Sequence, residues 1–152
     1  MLVTEIYNGQ GLGNQLWCYV TTRVIANDKG YDFGIQAPEK FKGNDFMQLD
    51  FGQPVVGGSG PEGGPPTRLP VCIKYYYNER RISHSRNGAD LRTFDTNLVT
   101  VPDHTKLDGI MQDERYILHR KDEIRQWLKV KDEFECDDYA SDDICVINFR
   151  GG

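Results

Sequence analysis

The sequence predicts an α/β fold with a mainly parallel sheet, and three observations predict it. Residues 2–36 read strand, glycine loop, helix, strand, which is the order of a parallel crossover unit. Two later segments, "VCIKYYY" (71–77) and "ICVINF" (144–149), are apolar and β-prone, as strands buried on both faces are. Between them runs "RKDEIRQWLKVKDEF" (120–134), with a helical apolar pattern in Ile124, Trp127 and Leu128.

The elements follow in order. "LVTEIY" (2–7) is a first strand. A helix runs from about Asn14 to Asp28, because Leu16, Tyr19, Val20 and Val24 recur at helical spacing. Trp17, Cys18 and Ile25 widen that stripe, so the helix is expected to be covered on more than one side. Asn14 suits its N-cap and Gly30 its end. "YDFGIQ" (31–36) is a second strand, and "PEKFKGNDFMQL" (38–49) a short helix opened by proline. Residues 50–70 hold six glycines and five prolines and read as a surface loop. "ERRISHSRNGAD" is expected to be exposed, and "NLVTV" (97–101) and "KLDGIM" (106–111) to be short strands. "DDYASDD" is an acidic turn.

With 152 residues the chain fits about one domain. A net charge of −5 argues against general nucleic-acid binding, since the phosphate backbone attracts basic surfaces. No apolar run approaches the roughly 20 residues of a membrane span. Met1 leads straight into the first strand without an apolar leader. The four cysteines, Cys18, Cys72, Cys136 and Cys145, form no C-x-x-C pair and no zinc spacing with histidine. Cys18 and Cys145 read as buried thiols, which fits a reducing, cytoplasmic location.

The loop Gly9-Gln10-Gly11-Leu12-Gly13-Asn14 joins a strand to a helix. It misses the dinucleotide spacing G-x-G-x-x-G by one place, and it lacks the G-K-[ST] of a nucleoside triphosphate loop. Glycines that pass positive φ in a tight turn are the plain alternative to a ligand loop. The carboxamides of Asn14 and Gln15, opening an otherwise apolar helix, point instead to polar groups aimed at a ligand beside free helix N–H groups.

"GQGLGNQLWCYVTTRVIA" resembles the G-G-L-G-N-Q-[ML]-F-x-Y-A opening of the alpha-1,2-fucosyltransferases, through Gly11, Leu12, Gly13, Asn14, Gln15, Leu16 and Tyr19. Gln10 and Trp17 depart from it. "LDGIMQDERYI" (107–117) is similar to the family's L-x-G-Y-x-Q-s-x-x-Y-F segment, through Leu107, Gly109, Gln112 and Tyr116. "ICVINFRGG" resembles the strand leading to H-x-R-R-G-D, with Arg150 at the first arginine, Asn148 for the histidine and Gly151 for the second arginine. The three segments keep the family's order, and residues 35–100 show little likeness.

The resemblance implies a Rossmann-like three-layer domain, the amino-terminal half of a GT-B glycosyltransferase. Residues 1–140 would form that domain and 141–152 the first strand of a donor-binding domain. It implies transfer of fucose from GDP-fucose to a carbohydrate hydroxyl with inversion. No metal or other cofactor is implied, the nucleotide sugar being a substrate. Arg150 would take the growing charge of the diphosphate, a task suited to a guanidinium fork; a surface arginine ending a strand is the plain alternative. Gly11, Gly13, Asn14, Gln15 and Asn148 would bind substrate. Asp113, Glu114, His104 and His119 lie near matched segments, but each reads as a solvated group and none is named as the base.

The chain stops after the last strand, so its isolated form is expected to be inactive or nearly so, and an unpartnered sheet edge is a route to a homodimer. Two rival classes stand beside the enzyme: a non-catalytic carbohydrate or nucleotide-sugar binding module, and a structural or interaction domain.

Overall fold

The computed structural model describes residues 1–59, 68–79, 83–84, 90–91 and 94–135. The elements in chain order are β1 (Leu2–Glu5), α1 (Leu12–Lys29), β2 (Phe33–Gln36), β3 (Met47–Gln48), β4 (Gly57–Ser59), β5 (Arg68–Pro70), β6 (Tyr75–Asn78), β7 (Ser83–His84), β8 (Asp90–Leu91), α2 (Thr96–Val99), β9 (Thr105–Asp108), α3 (Lys121–Trp127) and β10 (Lys129–Val130). Four strands form one parallel sheet in the order β2-β1-β9-β6. The fold is α/β, and the opening unit is β1-α1-β2 as its pattern predicts. No helix among the described residues is long and apolar enough to cross a membrane.

The helix α1 begins at Leu12, not at Asn14. Gly11 is its N-cap, in extended conformation and without a side-chain cap. Asn14 therefore stands inside the first turn, which corrects the expected cap. The helix ends at Gly30, whose φ of 68° is left-handed. There Tyr31 N–H donates to Ala26 O at 2.9 Å and Gly30 N–H to Asn27 O at 3.2 Å, a Schellman closure. Its buried side chains run from Gln15 and Cys18 through Tyr19, Thr22 and Ala26, so the helix is covered over a wide arc.

Two apolar clusters fix α1 to the sheet. One gathers Leu2, Cys18, Ile25, Leu98, Leu107 and Tyr116. The other gathers Ile6, Tyr19, Val24, Ile35 and Phe41, with Ile124, Trp127 and Leu128 packed against it. All three helices thus contribute to clusters that α1 joins. The chain just after β2's return crosses the sheet differently. A Cβ on Gly34 would lie 2.6 Å from Gln53 O and 2.7 Å from a Val55 methyl, so glycine lets residues 53–55 pass directly over β2. The three helices share their clusters with Leu2, Ile6, Ile35 and Leu107, which alternation places on one face of the sheet.

Local chemistry explains where elements depart from expectation. "NLVTV" is not a strand: Asp95 accepts from Asn97 N–H at 2.9 Å and caps the short helix α2, and Leu98 is driven inward by burial. Residues 38–49 hold one 3-10 turn, Pro38–Lys40, rather than a helix. The helix expected over 120–134 stops at Trp127, because Lys129–Val130 pairs with β3 and Lys131 N–H donates to Phe46 O at 3.0 Å. The loop expected over 50–70 contains the antiparallel pair β4–β5. The expected strand 144–149, its sheet edge and the acidic turn lie outside the described residues.

A crevice at the carboxyl ends of the strands

The order β2-β1-β9-β6 makes β1 the point where the chain turns both ways. From β1 it crosses through α1 to β2, while β9 lies on β1's other side. In open α/β sheets the crevice at such a point, outside the carboxyl ends, is the usual ligand site. Here that position lies between the loop after β1, residues 6–11, with the first turn of α1, and the 109–112 segment after β9.

The first loop is held by carboxamides. Gln10 Oε1 accepts from Tyr7 N–H at 3.0 Å, and Gln10 N–H donates to Tyr7 O at 3.2 Å. Gln15 is fully buried. Its Nε2 donates to Tyr7 O at 3.2 Å and to Lys40 O at 3.1 Å, while its Oε1 accepts from Lys42 N–H at 2.9 Å. Gln15 therefore ties the loop to the segment after β2, and its amide is fully engaged with backbone. Any effect it has on a ligand runs through the shape of the loop. Asn14 is different: its Oδ1 accepts from Gln112 Nε2 at 2.8 Å on the crevice rim.

Gly11 and Gly13 are exposed, and neither has positive φ. A Cβ at Gly9, Gly11 or Gly13 would meet nothing within 4 Å. Among the described residues neither torsion nor packing calls for glycine there, so the tight-turn explanation is unsupported for all three. The N–H groups of Leu12, Gly13 and Asn14 have no acceptor among the described residues. Gly109 contrasts with them. Its φ is 149°, and a Cβ would lie 2.4 Å from Glu79 Cβ. Glu79 needs that approach, since its Oε2 accepts from Ile110 N–H at 2.8 Å and Met111 N–H at 3.1 Å.

Further bonds tie α1 to the 109–112 segment and β1 to β9. Cys18 Sγ donates to Gly109 O at 3.1 Å, Thr21 Oγ1 to Met111 O at 3.3 Å, and Thr4 Oγ1 to Leu107 O at 3.1 Å. The segments around Asn14 and Gln112 thus form one packed unit, although 98 residues separate them.

The sheet beneath carries polar groups that sequence reasoning missed. Lys106 is 1 % exposed and is paired with Glu5, whose side chain is 14 % exposed. Lys106 Nζ also donates to Gln36 Oε1 at 3.1 Å, and Gln36 Nε2 to Gly57 O at 3.3 Å. Asp108 accepts from Tyr7 OH at 3.4 Å and from Tyr76 OH. The available signal was the placing of Lys106 and Asp108 on alternate positions around Leu107, with Glu5 breaking "LVTEIY" in the same way.

These tyrosines carry a pH dependence. Burial, then the charge and hydrogen bond of Asp108, raises the Tyr7 phenol far above its ordinary value. Burial and the Asp108 bond push Tyr76 up to about 12. Burial and Asp95 raise Tyr77 likewise. The folded state keeps these protons where the unfolded chain, at the ordinary 10.0, gives them up. The contribution of Tyr76 is therefore complete below pH about 10 and is lost as pH climbs through about 12, while those of Tyr7 and Tyr77 persist to higher pH. Melting temperatures measured across that window should fall steadily, and Tyr76→Phe should flatten the fall. A flat profile in the wild type would contradict the arrangement.

Of the four groups near the matched segments, three have partners within the chain and one is exposed. Hydrogen bonds from Arg115 hold the Asp113 carboxyl below its usual range. His104 Nδ1 lies 2.8 Å from Cys72 O, His119 Nε2 lies 2.8 Å from Asp28, and Glu114 is exposed. Arg150 and Asn148 lie outside the described residues, as do Cys136 and Cys145. No group of three metal-ligating side chains occurs among the described residues.

In comparisons with known proteins, no family model, no curated protein and no solved structure matches this chain.

Proposed function

We propose that the chain supplies one wall of a fucosyltransferase-like active site, in a Rossmann-like domain of the GT-B kind. The ligand is a nucleotide sugar of the GDP-fucose class, and the acceptor is a carbohydrate hydroxyl. One observation carries the reading: among the described residues Gly11 and Gly13 have no torsional or packing role, yet they flank unengaged N–H groups at the start of an 18-residue helix. Glycine at such a position admits close approach of a ligand to backbone, and helix N–H groups favour an anion. The Asn14–Gln112 bond supports it, because it joins at one rim the two segments whose likeness to the family was noted separately.

In this reading the residues divide the work. Leu12, Gly13 and Asn14 offer N–H donors to an oxygen-rich ligand. The Asn14–Gln112 pair fixes one carboxamide and leaves its remaining donors toward the crevice. Gln15 and Gln10 hold the loop. Arg150 takes the donor diphosphate, whose charge grows as the sugar leaves.

Gly13→Leu tests this. Leucine favours a helix over glycine by close to 1 kcal/mol, and its Cβ meets open space here, so the variant should be no less stable than wild type. Its affinity for GDP-fucose, measured by calorimetry, should fall at least about tenfold, or about 1.4 kcal/mol. Unchanged affinity would remove the glycine loop from the site.

A further inference from the structure

A second cavity, of about 470 Å³, lies away from the crevice, between α1, α3 and the β3–β10 pair. Its volume is within the range of small-molecule sites. Arg23 lines it from α1, eleven positions after Leu12, roughly 16 Å along the helix at 1.5 Å per residue. Gln126 and Trp127 come from the end of α3, and Asp50 from the chain after β3. Gln48 and Lys129 are directly paired across the β3–β10 ladder, so an amide and an ammonium stand side by side on that wall.

Arg23 is the unusual member. Its guanidinium carbon lies 4.3 Å from the Trp127 ring centre, 5.1 Å from Phe33 and 5.9 Å from Tyr19. Only 16 % of its side chain is exposed. Stacking on aromatic rings fixes the plane of the fork, so little freedom remains to lose on binding. One Nη donates to Tyr19 OH. The opposite edge is under-used. Its Nη2 reaches Asp50 only at 3.5 Å, longer than the 2.7–2.9 Å usual for a charge-assisted bond, and its buried Nε has no acceptor among the described residues. A buried donor without a partner calls for one. The Nε–Nη2 edge is the one a carboxylate takes bidentately.

We propose that this cavity is a binding subsite for a carboxylate-bearing sugar unit. The carboxylate takes the Nε–Nη2 edge of Arg23 in place of Asp50 Oδ2, whose contact there is long, while Asp50 Oδ1 keeps its bond from Gly52 N–H at 2.9 Å. Lys129 adds a second cation at the rim. Gln48 and Gln126 present donor and acceptor together, the complement of neighbouring ring hydroxyls. Trp127 supplies the apolar wall. A bare phosphate would leave the two amides and the indole without a role. This subsite is separate from the crevice and stands whether or not the crevice binds a nucleotide sugar.

The test is a titration of the whole chain, followed by the Trp127 indole signal in ¹⁵N spectra. The probes are methyl β-glucuronide, methyl β-glucoside and acetate. The glucuronide should saturate at about 1 mM or tighter. It should bind at least about tenfold more tightly than either other probe, the 1.4 kcal/mol of one charged contact. Absence of a saturable shift overturns the proposal. So does equal binding of the glucoside, which would make the carboxylate irrelevant, or of acetate, which would make the sugar ring irrelevant. Arg23→Lys keeps the charge and loses the fork, and should weaken the glucuronide about tenfold. Arg23 is wedged among rings, so Lys129→Ala, at the exposed rim, is the second variant. It should bind severalfold more weakly with an unchanged melting temperature, and wild-type affinity there would overturn the subsite.

Discussion

Glu5→Ala should destabilise the domain by about 3–5 kcal/mol, the scale of removing one partner from a buried ion pair. The change leaves the Lys106 ammonium in the middle of the central sheet, 1 % exposed, with Gln36 Oε1 as its remaining acceptor. Water does not reach it, so the lost partner is not replaced. For a domain of ordinary stability, about 5–15 kcal/mol, this is a large fraction. The opposite truncation, Lys106→Met, should cost less, because Glu5 lies nearer the surface and recovers part of its hydration. The double change Glu5→Leu with Lys106→Met should sit closer to wild type than Glu5→Ala does, as apolar replacement of a buried pair often does. Urea unfolding of the four proteins checks this. A loss below about 1 kcal/mol for Glu5→Ala would place the pair in the class of exposed ion pairs and contradict its burial.

Arg150→Ala should weaken GDP-fucose binding by about 10–100-fold, the equivalent of the 1.5–3 kcal/mol carried by hydrogen bonds to a charged group. The proposal gives this arginine the donor diphosphate, and alanine leaves those oxygens to water. The expected loss is in affinity at unchanged fold, so melting temperature should not move. In a form of the protein that transfers sugar, the same change should lower kcat at least about a hundredfold, as removal of one transition-state donor does. A variant that binds GDP-fucose as tightly as wild type would take Arg150 out of the proposed site.

The opening unit was legible because its signals agree. The apolar stripe of α1, Gly30 at its end and the flanking strands all point one way, and β1-α1-β2 forms as they indicate. The start of α1 was misjudged by two residues, because Asn14 looks like a cap while its side chain pairs with a residue 98 positions away. Long-range pairing of this kind leaves no local trace. It also ended α3 early, since Val130 takes a strand partner in Met47. The site was legible in part. Gly11, Gly13 and Asn14 stand at a crevice mouth, while the carboxamide of Gln15, expected to face a ligand, holds the loop from beneath. Tyr7, Tyr76 and Asp108 were missed, because an aromatic in a β-prone run reads as core whether or not its hydroxyl finds a carboxylate.

The central claim is that the mouth formed by Leu12, Gly13, Asn14 and Gln112 receives a nucleotide sugar. A titration of the ¹⁵N-labelled chain with GDP-fucose tests it most directly. The account predicts a saturable change, largest at the backbone amides of Leu12, Gly13 and Asn14 and at the side-chain amide of Gln112. Saturation with those four signals unmoved, or no binding at all, would contradict it.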